Sequence, residues 1–156
     1  RTRLHLIGHL QSNKAPLAVG LYDVIQSVDS IKLLNKINRS AKQQNKKQKI
    51  FLQINISKTT TQTGFNEREI IKAAEATTKL RHIKMEGIMS IGAHTPDQKT
   101  IQKNFKSVRQ IQKEIQNKIN PQCSSLSLGM SQDYILALQA GSTHLRLGTI
   151  LFQKNK

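Results

Sequence analysis

The chain has one cysteine, no tryptophan, three prolines and only nine acidic residues among 156. Each shortage excludes something. A lone Cys123 cannot close an internal disulfide, which removes the disulfide-stapled scaffolds and points to a reducing, cytoplasmic setting. No apolar run approaches the roughly 18–20 residues of a bilayer crossing, and no secretory signal is visible, so no membrane role is expected. Aromatic residues make up 4% of the chain, so the core has to come from Ile, Leu, Val and Ala. No glycine fingerprint of a dinucleotide fold follows the first strand, and no lysine-bearing phosphate loop is present. His82, His94 and His144 have no Cys, Asp or Glu at ligand spacing, so no metal site is expected. Cys123 precedes a strand without an activating neighbour and reads as an inert thiol.

What is abundant is positive charge: 25 Lys and Arg give a formal net charge of +16. A nucleic-acid surface would show such an excess. Here the bases are spread along the chain, with one dense run at Lys42–Lys49, and no aromatics are interleaved to stack bases. The excess reads as a Lys-, Asn-, Gln- and Ile-rich composition, and nucleic-acid binding is kept as the weaker rival. The length suits one domain, residues 1–156. The chain opens on Arg1 and is already strand-like within a few residues, so an upstream part of the natural protein is expected.

Strand and helix patterns alternate about six times. Leu4–Ile7 is an apolar strand, followed by Ser12 as N-cap and a short helix from Asn13 to Val19 stopped by Gly20. Val24–Val28 is the second strand. Asp29 or Ser30 caps a helix with Leu33, Leu34, Ile37 and Ala41 on its apolar face, and Lys42–Lys49 is a surface loop or frayed end. Ile50–Ile56 is a near-continuous apolar run, as buried parallel strands are. A hydroxyl-rich loop, Ser57–Thr63, closes at Gly64, and Asn66 with Glu69 forms a capping box. The next helix turns Ile70, Ile71, Ala74 and Leu80 inward. Met85–Ile91 is the fourth strand, and Gly92–Thr95 a turn. Pro96 takes the first position of a helix whose Ile101, Phe105, Val108, Ile111, Ile115 and Ile119 repeat every 3.6 residues. Asn120-Pro121 ends it. This alternation implies a parallel sheet with crossover helices. Since a closed eight-unit barrel takes about 200–250 residues, six units fit the C-terminal three-quarters of a (β/α)8 TIM-type barrel.

The stretch from Ser124 to Phe152 carries the chemistry. Two short strands, Leu126–Leu128 and Leu145–Leu147, each run into a glycine and a hydroxyl: Gly129 and Ser131, then Gly148 and Thr149. Ser131 stands where a helix N-cap would, with Asp133 in the first turn. Glycine turns and a helix start at adjacent strand ends direct several N–H groups onto one anion, and a barrel's last two loops are the usual phosphate site. Arg146, between two outward leucines, points into the barrel, where an unpartnered cation is costly.

Several segments resemble a known family. His5-Leu6-Ile7-Gly8-His9-Leu10-Gln11-Ser12-Asn13-Lys14 is similar to its His-Phe-Ile-Gly-x-Leu-Gln-x-Asn-Lys segment, and Gln53-Ile54-Asn55 to its Gln-Val-Asn. Gly87-Ile88-Met89-Ser90-Ile91 resembles Gly-Leu-Met-x-Ile. Leu126-Ser127-Leu128-Gly129-Met130-Ser131 resembles Leu-Ser-Met-Gly-Met-Ser. Gly141-Ser142-Thr143-His144-Leu145-Arg146-Leu147-Gly148-Thr149 resembles Gly-Ser-Thr-x-Val-Arg-Ile-Gly-Thr. By these motifs the chain resembles the pyridoxal 5′-phosphate homeostasis proteins, single-domain relatives of the alanine racemase barrel. Two departures stand out: Gln62-Thr63-Gly64 replaces Lys-x-Gly, and Phe152-Gln153 replaces the Phe-Gly ending.

The resemblance implies pyridoxal phosphate as cofactor. It implies a phosphate held by Ser131, Gly148 and Thr149 with Gly129 and Met130, and Arg146 at the ring nitrogen. His5 is a further candidate from its place at a strand end. The lysine that carries the cofactor in the family lies upstream of Arg1, and none is assigned here. An arginine at the ring nitrogen disfavours a second positive charge and so the carbanion-stabilising form of the ring. The expected role is binding, buffering and delivery of pyridoxal phosphate without catalysis, with free amino acids and cofactor-dependent enzymes as partners. The enzyme alternative is an amino-acid racemase. That reaction needs a second-face base, and Tyr22 and Tyr134 are the only tyrosines.

Overall fold

A computed structural model describes residues 2–57, 62–92 and 95–152. Strands and helices alternate along them: β1 His5–Leu6, α1 Ala15–Leu21, β2 Val24–Val28, α2 Ile31–Gln43, β3 Gln48–Ile54, α3 Glu67–Thr78, β4 Ile83–Ser90, α4 Gln98–Lys118, β5 Ser125–Met130, α5 Tyr134–Gln139, β6 His144–Arg146 and α6 Thr149–Phe152. The strands lie in sequence order and every neighbouring pair is parallel. In a flat sheet, five steps of about 4.8 Å would hold β1 and β6 roughly 24 Å apart. Instead the His5 ring of β1 lies 5.7 Å from the His144 ring of β6, and Phe51 of β3 meets His144 edge-on at 5.3 Å. The sheet is therefore curled around a lumen, as the expected six-unit arc of a barrel requires.

Alternation along the strands separates two interiors. Ile25, Ile50, Leu52, Ile88, Leu126 and Leu128 face outward and pack under the helices, against Leu33, Leu34 and Ile37 of α2, Ile70 and Ala74 of α3, and Phe105, Val108 and Ile115 of α4. Each such side chain contributes about 1.5–3 kcal/mol through burial. The lumen side has a small apolar cluster of its own: Val24, Phe51 and Met89. A bulge between β3 and β4 leaves Glu86 as the extra residue, and its carboxylate takes Lys49 at 3.2 Å and Lys84 at 3.0 Å. Burial alone would raise the Glu86 pKa, but the hydrogen bonds and charges of Lys84 and Lys49 together hold it below the ordinary value.

Local signals hold where the partners are local. Ser30 rather than Asp29 caps α2, its hydroxyl accepting from the Leu33 N–H at 3.3 Å. Both halves of the Asn66–Glu69 capping box form at 2.9 Å. Other expectations are corrected by distant partners. Gly20 does not stop α1, which runs to Leu21, because Lys46 Nζ donates to the Val19 and Tyr22 carbonyls at 2.6 and 2.8 Å. Ser12 makes no side-chain cap and instead opens a 3₁₀ turn, Ser12–Lys14. The Lys42–Lys49 run is only partly loop: Lys42 and Gln43 end α2, while Gln48 and Lys49 begin β3. Pro96 lies outside α4; Asp97 is the N-cap and accepts from the Lys99 and Thr100 N–H groups. Parts of the Ser57–Thr63 and Gly92–Thr95 loops, His94 and Gln153 lie outside the described residues. Among the described residues, no helix is long and apolar enough to cross a membrane.

Candidate functional site

The C-terminal ends of β4, β5 and β6 open into one cleft of about 1320 Å³. Its walls include Gly92 after β4, Met130, Ser131, Gln132 and Asp133 between β5 and α5, and Arg146, Gly148, Thr149 and Ile150 around the start of α6. Of the residues singled out in the sequence, the fold thus brings Met130, Ser131, Arg146, Gly148 and Thr149 to one place. Gly129 stands directly behind them. It lies inside β5 at φ +85, and a Cβ there would fall 2.5 Å from the Ala137 Cβ, so α5 rests on bare strand backbone.

The loop geometry departs from the expected helix cap. Asp133, not Ser131, precedes α5, and it makes no side-chain bond into that helix. The Ser131 hydroxyl instead accepts from the Ile150 N–H at 3.2 Å, joining the β5–α5 loop to α6. The second strand ends at Arg146, one residue before the expected Leu147. Among the described residues, the N–H groups of Ser131, Gln132, Gly148 and Thr149 have no protein acceptor, although all four residues line the cleft. Gln132, Gly148 and Thr149 are exposed and Ser131 half-buried, so these donors are open to water and equally available to an anion, with the Ser131 and Thr149 hydroxyls beside them.

Arg146 reaches inward from β6 along the lumen side, while its neighbour Leu145 packs with the outer core. One guanidinium nitrogen donates to the Ser127 carbonyl and hydroxyl, both at 2.9 Å, and the other terminal nitrogen to the Ser90 carbonyl at 2.8 Å. These bonds span three strands and fix the plane of the group. Among the described residues no carboxylate comes within 4 Å of it. Burial pulls its pKa down and the charge of Asp133 pushes it back up. The guanidinium remains a cation.

His5 does not come to the cleft. It is in register with Val24, the first residue of β2, and so lies near the N-terminal end of the lumen rather than at a C-terminal strand end. There it shares a 2.8 Å hydrogen bond with Gln26 and packs on Phe51 and His144. Burial, then Arg3, lowers its pKa; burial, then His5, lowers that of His144. Cys123 is buried, and burial pushes its thiol up to about 12, which keeps it unreactive. The sequence reading missed Gly92, Ser90 and Ser127. A small polar residue in lumen-facing register with an inward arginine was the available signal for Ser127; Ser90 takes part through its backbone carbonyl, for which the sequence carries no signal.

The profile of the family described as "Alanine racemase, N-terminal domain" matches residues 1–156. A curated relative, the pyridoxal phosphate homeostasis protein of Vibrio alginolyticus, is 30% identical over 97% of this chain and 65% of its own length. Among solved structures, PipY of Synechococcus elongatus without PLP is 32% identical at a TM-score of 0.91, covering 96% of this chain and 70% of that one. The same protein with PLP bound is 33% identical at 0.87, covering 96% and 69%. The chain therefore spans about two-thirds of the length of these relatives. With its barrel arc, its cleft and a profile matched from end to end, the chain belongs to the alanine racemase N-terminal domain family, alongside the pyridoxal phosphate homeostasis proteins.

Proposed function

We propose that the chain binds pyridoxal 5′-phosphate and serves in its homeostasis by holding, buffering and handing on the cofactor, without catalysing a reaction. The observation that carries this reading is a partly buried guanidinium with, among the described residues, no acid within ion-pair distance, set beside four amides without a protein acceptor in one cleft. That combination suits a phosphate ester attached to a heteroaromatic ring. Ser131, Gly148 and Thr149 would hold the phosphate, with Met130 and Gly129 shaping the cup and Arg146 facing the ring nitrogen. When bound, the cofactor supplies a reactive aldehyde, through which free amino acids and cofactor-dependent enzymes would exchange it. The similarity to pyridoxal phosphate homeostasis proteins, and to PipY solved with PLP bound, supports the same ligand.

One observation favours a carrier over a racemase. Arg146 cannot pass a proton to the ring nitrogen, which argues against transamination or decarboxylation but leaves racemisation open; the discriminating feature is the second-face base. Neither tyrosine lines the cleft: Tyr22 precedes β2 at the opposite end of the barrel, its carbonyl held by Lys46. The test is calorimetric titration of the chain with pyridoxal phosphate, pyridoxal and inorganic phosphate. Pyridoxal phosphate is expected to bind best and pyridoxal least. Equal binding of pyridoxal and its phosphate would remove the cup from the account. Exchange of an amino-acid α-proton with deuterated solvent would favour the racemase.

A further inference from the structure

The cup contains an acid that a phosphate ester does not call for. Asp133 Oδ1 accepts from the Met130 N–H at 2.7 Å, while the Asp133 N–H donates to the Met130 carbonyl at 3.1 Å. This reciprocal pair closes the Met130–Asp133 loop in the manner of a capping box. The other carboxylate oxygen lies against Gly92, where a Cβ would fall 2.8 Å from it, so any larger residue there would make the carboxylate shift. The Asp133 charge bears on Arg146, yet among the described residues no basic group comes within ion-pair distance of it. A site selected only for tight capture would surround its anion with donors and cations. A carboxylate on the same wall repels the ligand.

We propose that Asp133 is a positioning residue that also sets affinity. Its carboxylate shapes the loop through the Met130 amide, and its negative charge keeps phosphate-ester binding loose enough for the ligand to be passed on. This rests on the cofactor-carrier reading above. The two roles act in opposite directions, which makes them separable. Asparagine retains an acceptor at Oδ1 without the charge; alanine removes both.

The experiment measures binding of pyridoxal phosphate and of inorganic phosphate to the 156-residue chain and its variants, by calorimetry and stopped-flow. Asp133→Asn is expected to bind both about tenfold more tightly through slower dissociation, an advantage that shrinks in high salt. Asp133→Ala is expected to bind more weakly than the unaltered chain. If Asp133→Asn does not fold, Asp133→Ser, which keeps a short acceptor and drops the charge, carries the same expectation of tighter binding. A folded Asp133→Asn, or Asp133→Ser where it stands in, that binds no more tightly than the unaltered chain overturns the inference and leaves the cup standing. An unaltered chain that binds neither probe overturns the carrier reading and this inference together.

Discussion

The two ends of the lumen handle charge in opposite ways. Near the N-terminal ends of the strands, Glu86 is matched by Lys49 and Lys84, and two histidines whose pKa values burial lowers pack on Phe51. At the C-terminal ends, among the described residues, Arg146 meets only carbonyls and a hydroxyl, and four amides have no protein acceptor. The first arrangement pairs its charges within the chain. The second leaves its cation without an acid among the described residues. One barrel interior thus divides into a scaffold end and a proposed ligand end, and the division can be tested by removing charges from each.

The largest effect is expected at the ligand end. Arg146→Met should weaken pyridoxal phosphate binding about a hundredfold, while chemical stability stays level or rises, because an apolar chain replaces a desolvated cation. Titration and urea unfolding of the same sample check both parts; a large stability loss with intact binding would erase the contrast. Glu86→Gln should show the reverse. It leaves two lysines facing each other and should cost about 1–2 kcal/mol after allowance for solvent screening, with ligand affinity unchanged. Since Glu86 has a lowered pKa, its contribution is present above the ordinary carboxylate value of 4.5 and lost as pH falls below it. The variant's acid-unfolding curve should therefore flatten in that range. The smallest effect belongs to the histidines. Their lowered pKa values mean that the stability they contribute is full above 6.5 and declines as pH drops through the folded-state values. His144→Phe should remove part of that slope, worth less than about 1 kcal/mol given partial exposure, as read from urea midpoints between pH 7 and 5.

Much of this was legible in the sequence where cause and effect lie within a few residues. The Leu33-Leu34-Ile37-Ala41 face, the Asn66–Glu69 box and the β2 limits follow from periodicity and local hydrogen bonding. The errors fall where a remote group decides. Gly20 looked like a stop because nothing local shows Lys46 closing the end of α1. Ser131 looked like a helix cap because its partner, Ile150, is 19 residues away. His5 was placed at the wrong end because register against β2, not strand order, sets height in a barrel. That Ser131, Gly148 and Thr149 would meet at one cleft was legible because glycine followed by a hydroxyl residue after each of two strands is itself a local signal. Asp133 was visible as a residue, but its grip on Met130 and its seat on Gly92 were not.

The bond from the Ile150 amide to the Ser131 hydroxyl has a kinetic consequence. It ties the β5–α5 loop to α6 without any ligand, so the cost of ordering these two cleft walls is met during folding rather than at encounter. If the cleft takes the proposed phosphate ester, uptake should approach the rate of simple collision between a small anion and a positively charged protein.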